Sequence, residues 1–132
     1  MNLKYFSKIR ILDGGMGQEL LSKGLKPKGS LWSATALLDK KYHELVVNCH
    51  LDFIKSGAEV IVTSNFAARK IRMIQNNVEK HFEYANEKAG ELALRAKEIS
   101  KKNILIAGSL PAQNDTYVLD PRNQKIIEKD FY

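Results

Sequence analysis

The feature that most constrains the fold is an alternation of short apolar runs with longer helical patterns. Apolar runs rich in β-branched residues fall at Lys8–Asp13, Ala58–Thr63 and Asn103–Ser109. The second and third runs are nearly continuous in apolar character, which is typical of strands that are covered on both faces. Strands that alternate with helices must run parallel and cross over with a right hand. The order β-α-β-α-β therefore predicts an α/β fold with a parallel sheet.

Helical periodicity fills the stretches between the predicted strands. Residues 41–56 carry one apolar stripe that Gly57 ends, and residues 78–99 carry a second stripe that is rich in alanine. The two stripes consist of Tyr42, Leu45, Val46, Cys49 and Phe53, and of Val78, Phe82, Ala85, Ala89, Leu92, Ala96 and Ile99. We also expect a short helix over Met16–Lys23, a loop over Leu25–Leu31, and another short helix that Ser33 caps and that reaches Leu38.

Composition sets bounds on the class of protein. The 132 residues suffice for one globular domain, and 44% hydrophobic with 27% charged residues is ordinary for a folded protein. The sequence predicts no membrane-spanning segment and no secretory signal. A net charge of +6 raises nucleic acid as a partner, but the lysines are scattered, so we expect no nucleic-acid binding. A single cysteine favours a cytoplasmic location.

Candidate metal ligands are few in this chain. Cys49 is the one cysteine, and the histidines are His43, His50 and His81. Cys49 falls on the apolar stripe of a predicted helix, which favours a packing role, and His50 lies in the same helix. We therefore assign no metal ligand within the chain.

Small polar residues follow each predicted strand. These clusters are Asp13-Gly14-Gly15, Thr63-Ser64-Asn65 and Gly108-Ser109. Since parallel α/β folds bind ligands at the carboxyl ends of their strands, the three clusters predict a pocket more strongly than three unrelated turns. The glycines do not form a dinucleotide loop, because the third glycine of G-x-G-x-x-G is missing and Asp13 would repel a pyrophosphate. An aspartate suits a substrate ammonium group instead.

Four segments together resemble the N-terminal part of the homocysteine S-methyltransferase family, which includes betaine–homocysteine methyltransferase and the homocysteine domain of cobalamin-dependent methionine synthase. The resemblance runs in order from Arg10 to Tyr117. The segments are ILDGGMGQELLSKG, LWSATALLD, HLDFIKSGAEVIVTSNF and IAGSLPAQNDTY. The resemblance implies a (β/α)8 TIM barrel that transfers a methyl group from a donor to the thiolate of homocysteine and so forms methionine. It also implies a zinc ion, held by three cysteines, that keeps the sulfur deprotonated.

The family resemblance suggests the site residues. Asp13 would hold the amino group of homocysteine, and the backbone at Gly14 and Gly15 would lie against its small polar end. Thr63, Asn65 and Phe66 match a segment that lines the same pocket. The resemblance places no catalytic residue in this chain, and the zinc ligands are expected beyond residue 132.

The resemblance and the length together predict that residues 1–132 are the N-terminal portion of such a barrel, with about its first three βα units. A polar loop over 113–122 and the start of a helix over 126–131 would follow the third strand. We expect the isolated chain to be inactive for lack of the zinc cysteines. Two alternatives stay open: a small non-catalytic α/β module that binds an amino acid, and an unrelated α/β barrel enzyme. The sequence identifies neither the methyl donor nor whether the chain forms a homo-oligomer.

Overall fold

The secondary structure alternates between helices and short strands. A computed structural model describes residues 3–112 of the chain. The α-helices are α1 (Met16–Ser22), α2 (Thr35–Leu38), α3 (His43–Lys55), α4 (Lys70–Gln75) and α5 (Phe82–Ser100), and the strands are β1 (Val60–Val62) and β2 (Leu105–Ala107). Short 3-10 turns occupy Leu3–Ser7, Gly29–Ala34, Lys40–Tyr42 and Glu79–His81.

The sheet is parallel, as the sequence predicts. β1 pairs with β2 in the register Val60↔Leu105 through Val62↔Ala107. On the first predicted strand only Leu12 pairs, through an isolated parallel bridge to Val60. The prediction of a strand over the whole of Lys8–Asp13 is therefore wrong in its extent. Toward Lys8 the pairing does not continue, because the Ile11 N–H donates to the Glu59 carboxylate at 3.2 Å instead of to a backbone carbonyl. At the other end it stops at Asp13, whose side chain rather than its carbonyl accepts the next hydrogen bond from β1.

Both long helices form close to their predicted limits and pack against each other. α3 ends in a turn in which the Ala58 N–H donates to the Phe53 carbonyl, with Gly57 at a φ of +110°. This left-handed conformation suits glycine and lets the chain turn directly into β1. Fully buried alanines on α5 allow α3 to approach it closely; they are Ala85, Ala89, Ala93 and Ala96.

Two local predictions differ from the structure, and one short helix has no counterpart among the predictions. Ser33 does not cap the helix that reaches Leu38, because that helix begins at Thr35 and Ala34 occupies its N-cap position. The Leu25–Leu31 loop already enters a 3-10 turn at Gly29. α4 was not predicted from the sequence. The predicted loop over 113–122 and helix over 126–131 lie outside the described residues.

Within residues 3–112, none of the helices combines the length and the apolar character needed to cross a membrane.

Candidate functional site

The Asp13 side chain is fixed at the end of the first strand segment. The Asp13 N–H donates to the Val60 carbonyl at 3.0 Å, and its Oδ2 accepts from the Val62 N–H at 2.8 Å. In a continuing parallel ladder the Asp13 carbonyl would accept that second hydrogen bond. The carboxylate therefore replaces a backbone group of the sheet, and the sheet itself sets its position.

The surroundings of Asp13 change its acid–base behaviour. Partial burial raises the pKa of the carboxyl above its ordinary value of 3.8, and the hydrogen bond from the Val62 N–H opposes this shift. The Asp13 backbone N–H also interacts with the carboxylate and opposes the shift. A carboxylate has two acceptor oxygens, so this partly desolvated group can also accept hydrogen bonds from a cationic ligand.

An open cleft of about 410 Å³ lies at these strand ends. Its wall combines the first strand end, the Trp32 region, the end of β1 and Ser109. The lining residues are Leu12, Asp13, Gly14, Gly15, Met16, Gly17, Trp32, Ser33, Val62, Thr63, Ser64, Phe66 and Ser109. Five of the six residues expected to bind substrate meet in this cleft: Asp13, Gly14, Gly15, Thr63 and Phe66. Small polar groups from all three predicted clusters therefore share one concave surface.

Asn65, the sixth predicted site residue, does not line this cleft. Its Nδ2 donates to Asn86 Oδ1 at 2.7 Å and to the Ser109 carbonyl at 3.1 Å, and its Oδ1 accepts from Thr63 Oγ1 at 2.7 Å. The side chain instead borders a neighbouring cavity of about 240 Å³, which α5 also lines. In this structure Asn65 links the strand ends to α5.

The glycines near Asp13 are required by close packing. A Cβ on Gly14 would lie 2.9 Å from a ring carbon of Phe53, and one on Gly17 would lie 2.6 Å from the Trp32 ring. Real Cβ atoms do not approach other atoms so closely, so a side chain at either position would displace an aromatic ring. The Trp32 ring packs directly against the backbone of α1 at Gly17.

Trp32 forms one wall of the cleft. No role for this residue was predicted from the sequence. Its backbone has a φ of +48° and a ψ of −124°, which a bulky L-residue rarely adopts. Such strain persists only where surrounding contacts hold it, and it concentrates at ligand sites. The sequence signal for this residue is the segment LWSATALLD, which carries the one tryptophan of the chain.

The described residues do not form a metal site. No group of three or more His, Cys, Asp or Glu side chains that could hold a metal ion occurs within residues 3–112. Cys49 is fully buried, and burial raises the pKa of its thiol to about 11. His50 is also fully buried, which lowers its pKa to about 4. Neither side chain reaches the strand-end cleft.

Parallel strands joined by helical crossovers, with a carboxylate-bearing cleft at the strand ends, define an α/β protein. A sequence profile described as Homocysteine S-methyltransferase matches residues 10–132. The chain belongs to the homocysteine S-methyltransferase family, which confirms the family suggested by its motifs. The alternative of an unrelated barrel enzyme is therefore wrong.

Similar proteins come from plants and bacteria. Homocysteine S-methyltransferase 2 of Zea mays is 34% identical over 113 residues, which cover 82% of this chain and 31% of the relative. Homocysteine S-methyltransferase of Escherichia coli K12 is 31% identical over 109 residues, which cover 77% of this chain and 34% of the relative. The chain thus spans about a third of the length of these relatives.

A solved structure shares this fold. The metallated form of the homocysteine methyltransferase MmuM from Escherichia coli superposes with a TM-score of 0.70 at 29% identity. The match covers 83% of this chain and 40% of the MmuM chain.

Proposed function

We propose that this chain forms the amino-acid-binding part of a methyltransferase that acts on homocysteine. The observation that carries the proposal is the Asp13 carboxylate, which the sheet holds in a cleft beside Thr63 and Ser109. Asp13 would bind the substrate ammonium group through a charge-assisted hydrogen bond. The glycine backbone at 14–15 would allow the small polar end of the amino acid to approach closely.

The apolar walls of the cleft suit the rest of the substrate. Trp32 and Phe66 border it, and 46% of Phe66 is exposed. These rings would cover the aliphatic part of homocysteine and exclude water from the sulfur end. In the transfer itself, a lone pair of the deprotonated sulfur would form a bond to the methyl carbon, while the bond between that carbon and the donor breaks and its electron pair stays with the donor. The products would be methionine and the demethylated donor.

Zinc is a further part of the proposal, but residues 3–112 do not fit it, because they offer no cluster of ligands. The expectation that the zinc ligands lie beyond residue 132 stays a prediction. The proposed role of the described residues is to bind and orient the amino acid. We therefore expect the 132-residue chain alone to bind homocysteine without transferring a methyl group.

We also propose the (β/α)8 barrel as the complete architecture. The first strand segment supports it, since Ile9, Ile11 and Leu12 are 97%, 59% and 59% exposed. Exposed apolar residues beside a short parallel sheet are typical of an edge where further strands pack.

The proposal is tested by calorimetric titration of the chain with L-homocysteine under reducing conditions. We expect saturable binding that Asp13→Asn weakens at least about tenfold, the scale of one charged hydrogen bond. Asp52→Asn is the matched control, because Asp52 lies on the surface of α3, where it pairs with Lys23. Absence of binding to the unsubstituted chain would contradict the proposal. If the Asp13→Asn and Asp52→Asn variants bound homocysteine with equal affinity, Asp13 would have no role in binding the ammonium group.

A methyl-transfer assay with L-homocysteine, made on the chain and on an extended version of it, separates the two remaining interpretations. Binding without transfer by the 132-residue chain fits both a site that needs further residues and a non-catalytic amino-acid-binding module. Covalent or genetic extension of the chain with the part of a family member that it does not match distinguishes them, since only the first interpretation predicts that activity appears.

A further inference from the structure

A chain of hydrogen bonds joins helix α5 to the cleft. Asn86 Nδ2 donates to the Phe82 carbonyl at 2.8 Å, and Asn86 Oδ1 accepts from Asn65 Nδ2 at 2.7 Å. Asn65 Oδ1 then accepts from Thr63 Oγ1 at 2.7 Å. We call these four residues the amide relay.

Backbone groups fix the direction of the amide relay. A carbonyl oxygen only accepts, so the Phe82 carbonyl requires the NH₂ group of Asn86 to face it. The oxygen of Asn86 must then face Asn65. The Ser109 carbonyl independently requires the NH₂ group of Asn65 on its side, which leaves the Asn65 oxygen facing Thr63. Neither amide can be reversed without placing oxygen against oxygen.

The direction of the relay determines what the Thr63 hydroxyl can offer a ligand. A hydroxyl has one proton and two lone pairs. The Thr63 proton is committed to Asn65 Oδ1, and one lone pair accepts from the Ser109 N–H at 3.0 Å. The remaining lone pair is the hydrogen-bonding capacity left to Thr63, which lines the cleft together with Asp13.

We propose that the amide relay holds Thr63 as an acceptor toward the cleft, so that Asn65 and Asn86 act as positioning residues that select ligands with an ammonium group. This inference rests on the proposed homocysteine site and adds a determinant of its specificity. An ammonium group can donate to both Asp13 and Thr63. A carboxylate at the same place would meet one negative charge and a hydroxyl that has no proton to donate, so both groups discriminate against it.

The test compares L-homocysteine with 4-mercaptobutanoate, which has the same thiol chain and carboxylate but no amino group. The readout is the ratio of the two dissociation constants. We expect the unsubstituted chain to prefer homocysteine. Asn65→Leu frees the Thr63 proton and should reduce this preference about tenfold, the scale of one hydrogen bond to a charged group. Asn86→Leu removes one partner of Asn65 and should reduce the preference by a smaller factor.

Two further variants separate positioning from stability. Asn86→Asp keeps an acceptor for Asn65 but loses the hydrogen bond to Phe82, so it should lower the Tm while it keeps the ligand preference. Asn48→Leu on the exposed face of α3 is the control and should change neither quantity. A fall in preference that tracks the fall in Tm across all variants would overturn the relay as a determinant of specificity.

The remaining outcomes tell the two proposals apart. If the unsubstituted chain prefers homocysteine and both leucine variants keep the full preference, the relay inference is wrong and the homocysteine site stands. If the unsubstituted chain binds both ligands equally, the relay inference is also wrong. If it binds neither ligand, the proposal of a homocysteine site is wrong, and so is the proposed role of the amide relay in specificity.

NMR tests the hydrogen bonds of the relay without any ligand. Asn86→Leu should shift the side-chain amide resonances of Asn65 and the backbone amide resonance of Ser109. Unchanged resonances would show that the relay does not connect α5 to the strand ends.

Discussion

The backbone N–H of Val62 donates a 2.8 Å hydrogen bond to Oδ2 of the Asp13 carboxylate. The same contact ends the pairing of the first strand segment with β1 and positions the charge that faces the cleft. The site is therefore coupled to the sheet, and a disturbance of the pairing at Leu12 and Val60 would move the carboxylate.

The first prediction concerns the pH dependence of ligand binding. Burial raises the pKa of Asp13, and only the ionised form attracts an ammonium group. As the pH falls through this raised pKa, homocysteine binding should weaken, starting at a higher pH than for an ordinary aspartate. Titration calorimetry across an acidic pH series measures the effect. Binding that stays constant to below pH 3.8 would contradict it.

Asp13→Asn should keep or raise the stability of the fold, although it weakens the binding of homocysteine. A carboxyl whose pKa is higher in the folded than in the unfolded state binds its proton more tightly when folded, so its contribution to stability decreases as the pH rises through that pKa. At neutral pH, Asp13→Asn removes a charge that burial disfavours and keeps an oxygen for the Val62 N–H. The Tm should stay equal or rise while homocysteine binding weakens at least about tenfold. A lower Tm would mean that the charge stabilises the fold.

A pair of glycine substitutions tests the packing beneath Trp32. In Gly17→Ala the new methyl group would lie 2.6 Å from the indole ring, so we expect a loss of stability of about 1–3 kcal/mol and displacement of the ring. Gly90→Ala in α5 is the matched control, because no atom outside the neighbouring residues and the local backbone of α5 lies within 4 Å of its added Cβ. That variant should gain about 0.5–1 kcal/mol from helix propensity. Denaturant unfolding, monitored by tryptophan fluorescence, measures both effects.

The sequence predicts the order and direction of the elements better than their ends. The apolar stripe around Val46 and Cys49 and the alanine stripe of α5 are long, so helical periodicity identifies them clearly. α4 is only 6 residues long and has little room for a periodic pattern. The extent of the first strand was also overestimated, because pairing there depends on its neighbours and not on local β-propensity.

The candidate site shows the same contrast between residues that have a local sequence signal and residues that tertiary contacts position. Asp13 and Thr63 were predicted from their place after apolar runs, and the structure brings them into one cleft. The orientation of the Asn65 side chain could not be predicted from the sequence, because its partner Asn86 lies on another element and gives no local signal. The strained backbone of Trp32 likewise depends on tertiary contacts that no pattern in the sequence records.

The thiol of Cys49 should be unreactive in the folded chain. It is fully buried, and a pKa of about 11 leaves almost no thiolate at neutral pH. A disulfide reagent such as 5,5′-dithiobis(2-nitrobenzoate) should react slowly with the native protein and release one equivalent of chromophore after denaturation, since the chain has one cysteine. Fast reaction of the native protein would place Cys49 at the surface and reopen its role as a ligand.

The final prediction concerns acid stability and His50. Burial lowers the pKa of this histidine from 6.5 to about 4, and neither ring nitrogen has a hydrogen-bond partner within residues 3–112. Between these values the unfolded chain binds a proton that the folded chain excludes. The stability of the fold should therefore be unaffected by this group above pH 6.5 and should fall by up to about 3 kcal/mol as the pH decreases toward 4.

His50→Leu removes the titrating group at similar volume, so it should flatten this part of the stability profile and leave the protein at least as stable at neutral pH. His81→Gln replaces an exposed histidine and should keep the unsubstituted profile. Urea unfolding at a series of pH values provides the comparison, and parallel profiles for His50→Leu and the unsubstituted chain would show that His50 is accessible to protons in the folded state.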